Sequence, residues 1–136
     1  MVETAGWLAP ESPEEARKSY ETLGPTARTV TREVAKPIVS NREEYREKVT
    51  EEVVETAHDA LFASLLEVSD GSREEFEEWR ERYDGEVEVM GSENVSNVVW
   101  HAFGDEALAA TYQNEPEAAQ GTLRRQAFGR LYRESL

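Results

Sequence analysis

The chain has 136 residues, with 29 Asp and Glu against 15 Lys and Arg, which gives a net charge of −14. This length predicts one ordinary domain with a real core. The chain contains no cysteine, so it cannot form a disulfide, a thiolate nucleophile or a Cys-ligated metal site. The excess of carboxylates predicts a salt-rich cytoplasm, where ions screen the self-repulsion. We expect no membrane span or signal peptide, because no segment is long and apolar enough.

The first half of the chain is patterned as helices. A capping residue followed three positions later by Glu predicts helix starts at four places: Ser12, Asn41, Ser72 and Asn114. Gly24 ends the first helix, and a second helix then runs to Pro37. From Asn41 an apolar stripe predicts one longer helix that contains Tyr45, Val49, Val53 and Ala57.

The second half adds segments patterned as strands. The apolar run Ala60 to Val68 predicts a buried strand, with a continuation of the preceding helix as the alternative. Alternation of apolar and polar residues predicts a strand at Glu86 to Met90, and two further strands are predicted at Asn97 to Phe103 and Glu106 to Gln113. A closing helix is predicted from about Glu115 to Tyr132.

These elements predict an α+β fold in a single domain over residues 1–136. Residues 1–58 are mostly helical, and residues 59–136 form a β-α-β-β-β-α unit with a C-terminal helix. We expect a small, mainly antiparallel sheet with helices packed on it.

Several segments resemble a family of small uncharacterised proteins from haloarchaea. They are GSENVSNVVWHAF (Gly91 to Phe103), EALAATYQNE (Glu106 to Glu115), TLRRQAFGRLYR (Thr122 to Arg133) and NREEYREKVTEEVVETAHDALFASLLEV (Asn41 to Val68). The resemblance extends from about Leu23 onward. It implies a salt-rich archaeal cytoplasm, and it implies no activity, cofactor or catalytic residue.

The two histidines are the only side chains that titrate near neutrality when unperturbed. His58 follows a helix stripe beside Asp59, and His101 lies in a predicted strand. A site of both histidines and one carboxylate would suit a metal ion, but the spacing matches no metal motif. We therefore favour hydrogen-bonded structural histidines and predict no metal, catalytic residue or cofactor.

The turn Gly91 to Asn94 is the best local candidate for a small-ligand site. Ser92 and Asn94 offer polar side chains between two strands, and His101 lies farther along the chain. The alternative is a turn made of the residues that turns require.

The C-terminal helix is the candidate partner surface, because the charge reverses there. Residues 121–136 contain four arginines and one glutamate. A partner would contact Arg124, Arg125, Phe128, Arg130 and Tyr132. The alternative is that these cations complement the helix dipole and the acidic helices of the same fold. Nucleic acid is disfavoured, since phosphate-driven affinity falls steeply with salt.

We thus predict a noncatalytic cytoplasmic protein of a halophilic archaeon that acts through protein interaction or assembly, as a homodimer or with another protein. The alternative is a small-ligand-binding protein or an enzyme, with its pocket near Gly91 to Asn94 and His101.

Overall fold

A computed structural model describes residues 1–136, and its architecture is a five-stranded sheet with helices on both faces. In chain order the elements are β1 (Glu3–Ala5), α1 (Pro13–Thr22), α2 (Gly24–Ala35), α3 (Arg42–Lys48), α4 (Glu51–Ser64), β2 (Val68–Ser72), α5 (Arg73–Arg82), β3 (Glu86–Met90), β4 (Asn97–Phe103), β5 (Glu106–Tyr112) and α6 (Pro116–Ala127). A π-helical turn, Phe128–Tyr132, and a short 3₁₀ turn, Arg133–Ser135, follow α6. The predicted α+β class is confirmed.

The sheet has the order β1-β2-β4-β5-β3. Neighbouring strands run antiparallel except at one edge, where β3 pairs with β5 in parallel. The β4–β5 hairpin turns at Gly104, whose φ of 62° lies in the left-handed region that glycine adopts without strain. In the centre of the sheet, Trp100 lies opposite Ser69 on one side and Ala109 on the other.

The two faces of the sheet bury separate apolar clusters. The larger cluster lies between the sheet and the helices α1, α4 and α6, and its largest fully buried side chains include Phe62, Leu66, Leu108, Leu123 and Tyr132. The smaller cluster lies under α5 and contains Phe76, Val98, Trp100 and Ala109. The period-2 alternation of β4 and β5 divides their side chains between these two cores. None of the helices has the length and hydropathy that a bilayer crossing requires.

The predicted strand over Ala60 to Val68 was wrong, and the helical alternative is what forms. The helix α4 continues through Ser64, and β2 begins only at Val68. Phe62 and Ala63, within this run, are buried against the larger core. The run is continuously apolar because one helix face is buried here, and a short apolar run does not distinguish such a face from a strand.

The single long helix predicted from Asn41 is divided in two. Val49 leaves the helical region with ψ of 80°, and Thr50 begins α4 by accepting a hydrogen bond from the Val53 N–H at 3.2 Å. Asn41 caps α3, as predicted, through the Glu44 N–H. The apolar periodicity passes through the break, because Val49 at the break and Val53 and Ala57 of α4 line one cavity together with residues of α2.

The sequence pattern did not reveal β1. This strand has only three residues, and its backbone pairs with β2 at the edge of the sheet. Gly6, with φ of 109°, then passes so close to the Leu66 carbonyl that a Cβ would collide with it. The closing helix begins near the predicted Glu115 and reaches Tyr132 through the π-helical turn. The cap predicted at Asn114 was wrong, because α6 starts at Pro116 without a side-chain cap.

Candidate functional site

An apolar groove between α2, α3 and α4 is an open surface whose lining is almost entirely aliphatic. We call it the α2–α4 groove; it has a volume of about 300 Å³, and its walls include Val30, Val34, Ile38, Lys48, Val49 and Val53. The exposed fractions of Val30, Val34, Ile38 and Val53 are 46%, 59%, 61% and 43%. Isolated exposed apolar residues are ordinary, but a contiguous apolar surface indicates a binding site.

The local sequence explains why the groove exists. Ala27 and Thr31 are the buried residues of α2, and their small size lets α2 approach α4 closely. The Thr31 hydroxyl donates to the Ala27 carbonyl at 2.8 Å, so it needs no outside partner. Val30 and Val34 lie at helical spacing beside this contact but have no helix against them. The break before Thr50 brings Val49 and Lys48 of the α3 end to the same groove.

Charged residues surround the groove in ion pairs within the chain. Arg28 of α2 binds Glu51 of α4 through two contacts of 3.0 and 3.2 Å. Lys48, the one charged residue of the lining, lies 3.2 Å from Glu44. All four side chains retain substantial exposure, so these pairs contribute little stability. They can exchange partners at low cost when another molecule docks.

His101 lies in the interior, with both ring nitrogens engaged. Its Nδ1–H donates to the Glu67 carbonyl at 2.6 Å, and its Nε2 accepts from the Tyr132 hydroxyl at 2.6 Å. Burial lowers the pKa of His101, and the positive charge of Arg124 lowers it further. Burial also raises the pKa of Tyr132. The pair is therefore neutral near pH 7 and holds β4 to the C-terminal turn.

The turn predicted as a ligand site does not join His101 in one cavity. Ser92 and Asn94 are exposed, whereas His101 is buried. None of the five principal cavities is lined by any of the three residues. Arg73 of α5 instead donates to the Ser92 and Val95 carbonyls, at 3.1 Å each. These two hydrogen bonds fix the Ser92 to Val95 segment as a structural turn.

The predicted partner surface on the C-terminal helix is mostly interior or already paired. Phe128 and Tyr132 are core residues, because the π-helical turn directs them into the larger cluster. Arg124 donates to the Ala5 and Leu66 carbonyls, at 2.8 Å each. Arg130 pairs with Glu88 at 2.6 Å. Only Arg125 is exposed without an ion pair, so these five residues do not form one open surface.

His58 lies in a separate place from His101. Its ring stacks on Tyr20 at 3.6 Å between centroids, and its Nε2 contacts the Tyr20 carbonyl at 2.6 Å. The Tyr20 hydroxyl donates to Asp59 at 2.5 Å. This unit joins α1 to α4. Residues 1–136 contain no cluster of three or more His, Asp or Glu side chains placed to hold a metal ion.

Sequence reasoning missed the α2–α4 groove as a site. The signal was present in Val30, Val34 and Ile38, which repeat every four residues. The sequence predicts only that Val30 and Val34 share one face of the second helix, which ends at Pro37. Periodicity indicates that a helix face is apolar, but it does not show whether a neighbour covers that face. Only the packing of α2 on α4 leaves these side chains open.

Comparison with known proteins gives one assignment. No curated protein and no solved structure matches the chain. The model of a family of unknown function, DUF5809, matches residues 7–133, which span every helix and all strands except β1. The chain therefore belongs to the DUF5809 family of proteins of unknown function.

Proposed function

We propose that this protein is noncatalytic and acts by docking a helical protein segment in the α2–α4 groove. The observation that carries the proposal is the exposure of Val30, Val34, Ile38 and Val53 along one continuous groove. The other exposed large hydrophobic residues, Met1, Val2 and Trp7, all lie near the N-terminus. In a chain of such high charge, a continuous aliphatic surface is best accounted for by a partner that covers it.

The chemistry of the groove defines the partner. Lys48 is the only charged residue in the lining, and on α2 Arg32 has no ion pair in the chain, whereas Arg28 is bound to Glu51. The walls are otherwise aliphatic and lack aromatic residues. A helix with aliphatic side chains on one face and acidic residues beside them complements both features. The proposed partner is such an acidic, aliphatic helix.

The state of the histidines supports a noncatalytic role. A general base needs a free nitrogen within reach of a substrate. Both nitrogens of His101 are occupied inside the core, so His101 has no nitrogen free to act as a base. The His58 ring is stacked on Tyr20, and its Nε2–H donates to the Tyr20 carbonyl. The strongest pKa shifts belong to tyrosines such as Tyr20 and Tyr132, whose burial favours the neutral hydroxyl.

The composition supports the cellular setting of the proposal, a salt-rich archaeal cytoplasm. At a net charge of −14, the copies repel one another and other acidic proteins in dilute buffer. In molar salt the screening length is about 3 Å, so charge no longer prevents close contact. Apolar burial becomes the main driving force for docking under these conditions.

A designed helical peptide tests the proposal. The peptide carries Leu on one face and Glu elsewhere, and its binding is measured by fluorescence anisotropy in molar KCl. We expect saturable binding that weakens at least about tenfold in a Val34→Glu variant, since a buried, unpaired carboxylate costs more than 1.4 kcal/mol. Val2→Glu is the matched control, because Val2 is exposed but lies outside the groove.

A second peptide separates specific docking from nonspecific adhesion. It keeps the Leu positions and replaces every Glu with Lys. We expect it to bind more weakly than the acidic peptide when KCl is lowered to about 0.1 M, where the screening length is about 10 Å and charges act across the interface. Equal binding of the acidic peptide to the Val34→Glu variant and to the unmodified chain would contradict the proposal.

A further inference from the structure

We infer that the helix docked in the α2–α4 groove is α4 of a second copy, so that the protein forms a two-fold symmetric homodimer. This inference rests on the proposed function, because it identifies the partner of the same groove. In a two-fold interface, each copy contributes both the groove and the helix that occupies the partner's groove.

The charges of the two groove helices are complementary. The helix α2 has a net charge of +1, and α4 carries Glu51, Glu52, Glu55 and Asp59 without any Lys or Arg. Within the chain, Arg28 already pairs with Glu51, and Asp59 accepts from the Tyr20 hydroxyl. Arg32 of α2 and Glu52 and Glu55 of α4 have no ion pair within the chain and remain to pair between copies. A two-fold axis along the groove places α2 of each copy beside α4 of the other. The symmetric complex therefore forms two favourable helix pairs from one chain type.

The aliphatic residues of the two helices are also complementary. Val53 of α4 is 43% exposed, and Ala57 one turn later lines the groove. Val30 and Val34 form the opposing stripe on α2. The helix α2 packs chiefly on α4 and, near its start, on α1, so one flank has no neighbour. Two α2–α4 pairs together form a four-helix arrangement that buries these stripes.

Overall charge also favours this face for contact between copies. Residues 24–59 have a net charge of −2, whereas the remaining 100 residues carry −12. The cations in this segment are Arg28, Arg32, Lys36, Arg42, Arg46 and Lys48, and the carboxylates are Glu33, Glu43, Glu44, Glu47, Glu51, Glu52, Glu55 and Asp59. Two copies that each carry −14 meet with less repulsion through this segment than through the remaining surface on average.

The free edge of the sheet is a poorer interface. The outer edge of β3 has no strand beside it, but Glu86 and Glu88 are exposed along it. Pairing of two β3 edges about a two-fold axis would bring carboxylates of the two copies together. Glu88 is also occupied by Arg130 of its own chain. The helical face therefore remains the favoured contact between copies.

Sedimentation velocity over a concentration series in molar KCl tests the inference. The chain and the Val2→Glu control should sediment at twice the chain mass. Val34→Glu should sediment at the chain mass, with a dissociation constant raised at least about tenfold. Ile38→Ser, in the turn after α2, is a second variant that adds no charge and should weaken the dimer in the same direction. Circular dichroism confirms that each variant is folded.

The possible outcomes distinguish this inference from the proposed function. A monomer at all concentrations that still binds the acidic peptide overturns the homodimer and leaves the proposed function standing. A monomer that does not bind the peptide overturns both. A dimer that is unchanged by Val34→Glu and Ile38→Ser places the interface elsewhere and overturns the inference.

Discussion

At the residue scale, the buried pair of His101 and Tyr132 links the stability of the fold to pH. Burial lowers the pKa of His101 below its usual value of about 6.5. Protonation would turn Nε2 into a donor facing the Tyr132 hydroxyl, which now donates to it. The unfolded chain therefore binds a proton at a higher pH than the native chain does. The contribution of His101 is full above about pH 6.5 and is lost as the pH falls below it.

We therefore predict that the free energy of unfolding falls between pH 7 and pH 5, with a slope of at most about 1.4 kcal/mol per pH unit from this residue. Denaturant titrations at each pH measure the slope. His101→Gln cannot be protonated in this range, so its slope should be smaller than that of the unmodified chain. Identical slopes in the two proteins would show that His101 does not titrate between the native and unfolded states.

Arg124 and Arg125 are adjacent in the sequence but form different hydrogen bonds. Arg124 donates to two backbone carbonyls, those of Ala5 and Leu66, while Arg125 contacts only the Thr122 hydroxyl at 3.3 Å.

Replacement of Arg124 with Met removes two charge-assisted hydrogen bonds, and we expect a loss of about 2–4 kcal/mol in the free energy of unfolding. Arg125→Met is the matched control and should change it by less than about 0.5 kcal/mol. Chemical denaturation compares the two, and equal losses would be inconsistent with the assigned role of Arg124.

At the element scale, helix caps fix where the chain changes from strand or turn to helix. Ser72 ends β2 and begins α5 with a complete capping box. Its side chain accepts from the Glu75 N–H at 3.1 Å, and Glu75 accepts from the Ser72 N–H at 2.9 Å. A hydrogen bond from the N-terminal amine, followed by the one from the Ser72 N–H, lowers the pKa of Glu75. The start of α5 thus leads directly from β2 onto the second face of the sheet.

We predict that Ser72→Ala costs about 1 kcal/mol of stability, because one helix N–H loses its acceptor. Thermal unfolding followed by circular dichroism measures the change. Ser64→Ala is the control, since Ser64 lies exposed at the end of α4 and donates only to the Leu61 carbonyl. If Ser72→Ala lowers the stability no more than Ser64→Ala does, the capping box of α5 adds no stability.

At the scale of the whole molecule, the net charge of −14 predicts that the stability of the fold depends on salt. In 0.1 M salt the screening length is about 10 Å, so carboxylates on neighbouring helices repel; in 1 M salt it is about 3 Å. We predict that the melting temperature rises by several degrees as KCl is raised from 0.1 M to molar concentrations. Differential scanning calorimetry measures the shift.

A neutralised variant is the control for this salt effect. Glu74, Glu78 and Glu81 are exposed on α5, and their replacement with Gln reduces the repulsion without disturbing the cap. The variant should depend less on KCl than the unmodified chain. A melting temperature that is indifferent to KCl in the unmodified chain would refute the electrostatic argument.

The sequence by itself determined the features that depend on local interactions. Capping by Ser12, Asn41 and Ser72, the β4–β5 hairpin at Gly104 and the alternation along β3 each depend on residues close together in the chain. The α+β class follows from the periodicity of these segments. The excess of carboxylates is likewise read directly from composition.

Tertiary structure alone decided which faces are covered. The run after Ala60 became helix because Phe62 and Ala63 pack against the core, and β1 formed because the edge of β2 was open to it. Phe128 and Tyr132 were buried by the π-helical turn, whereas Val30 and Val34, with an equally apolar pattern, remained exposed. The sequence of an apolar stripe is the same whether a helix of the same chain covers it, another molecule covers it, or it stays open to solvent. Contacts between residues far apart in the chain determine burial, and burial determined the candidate site.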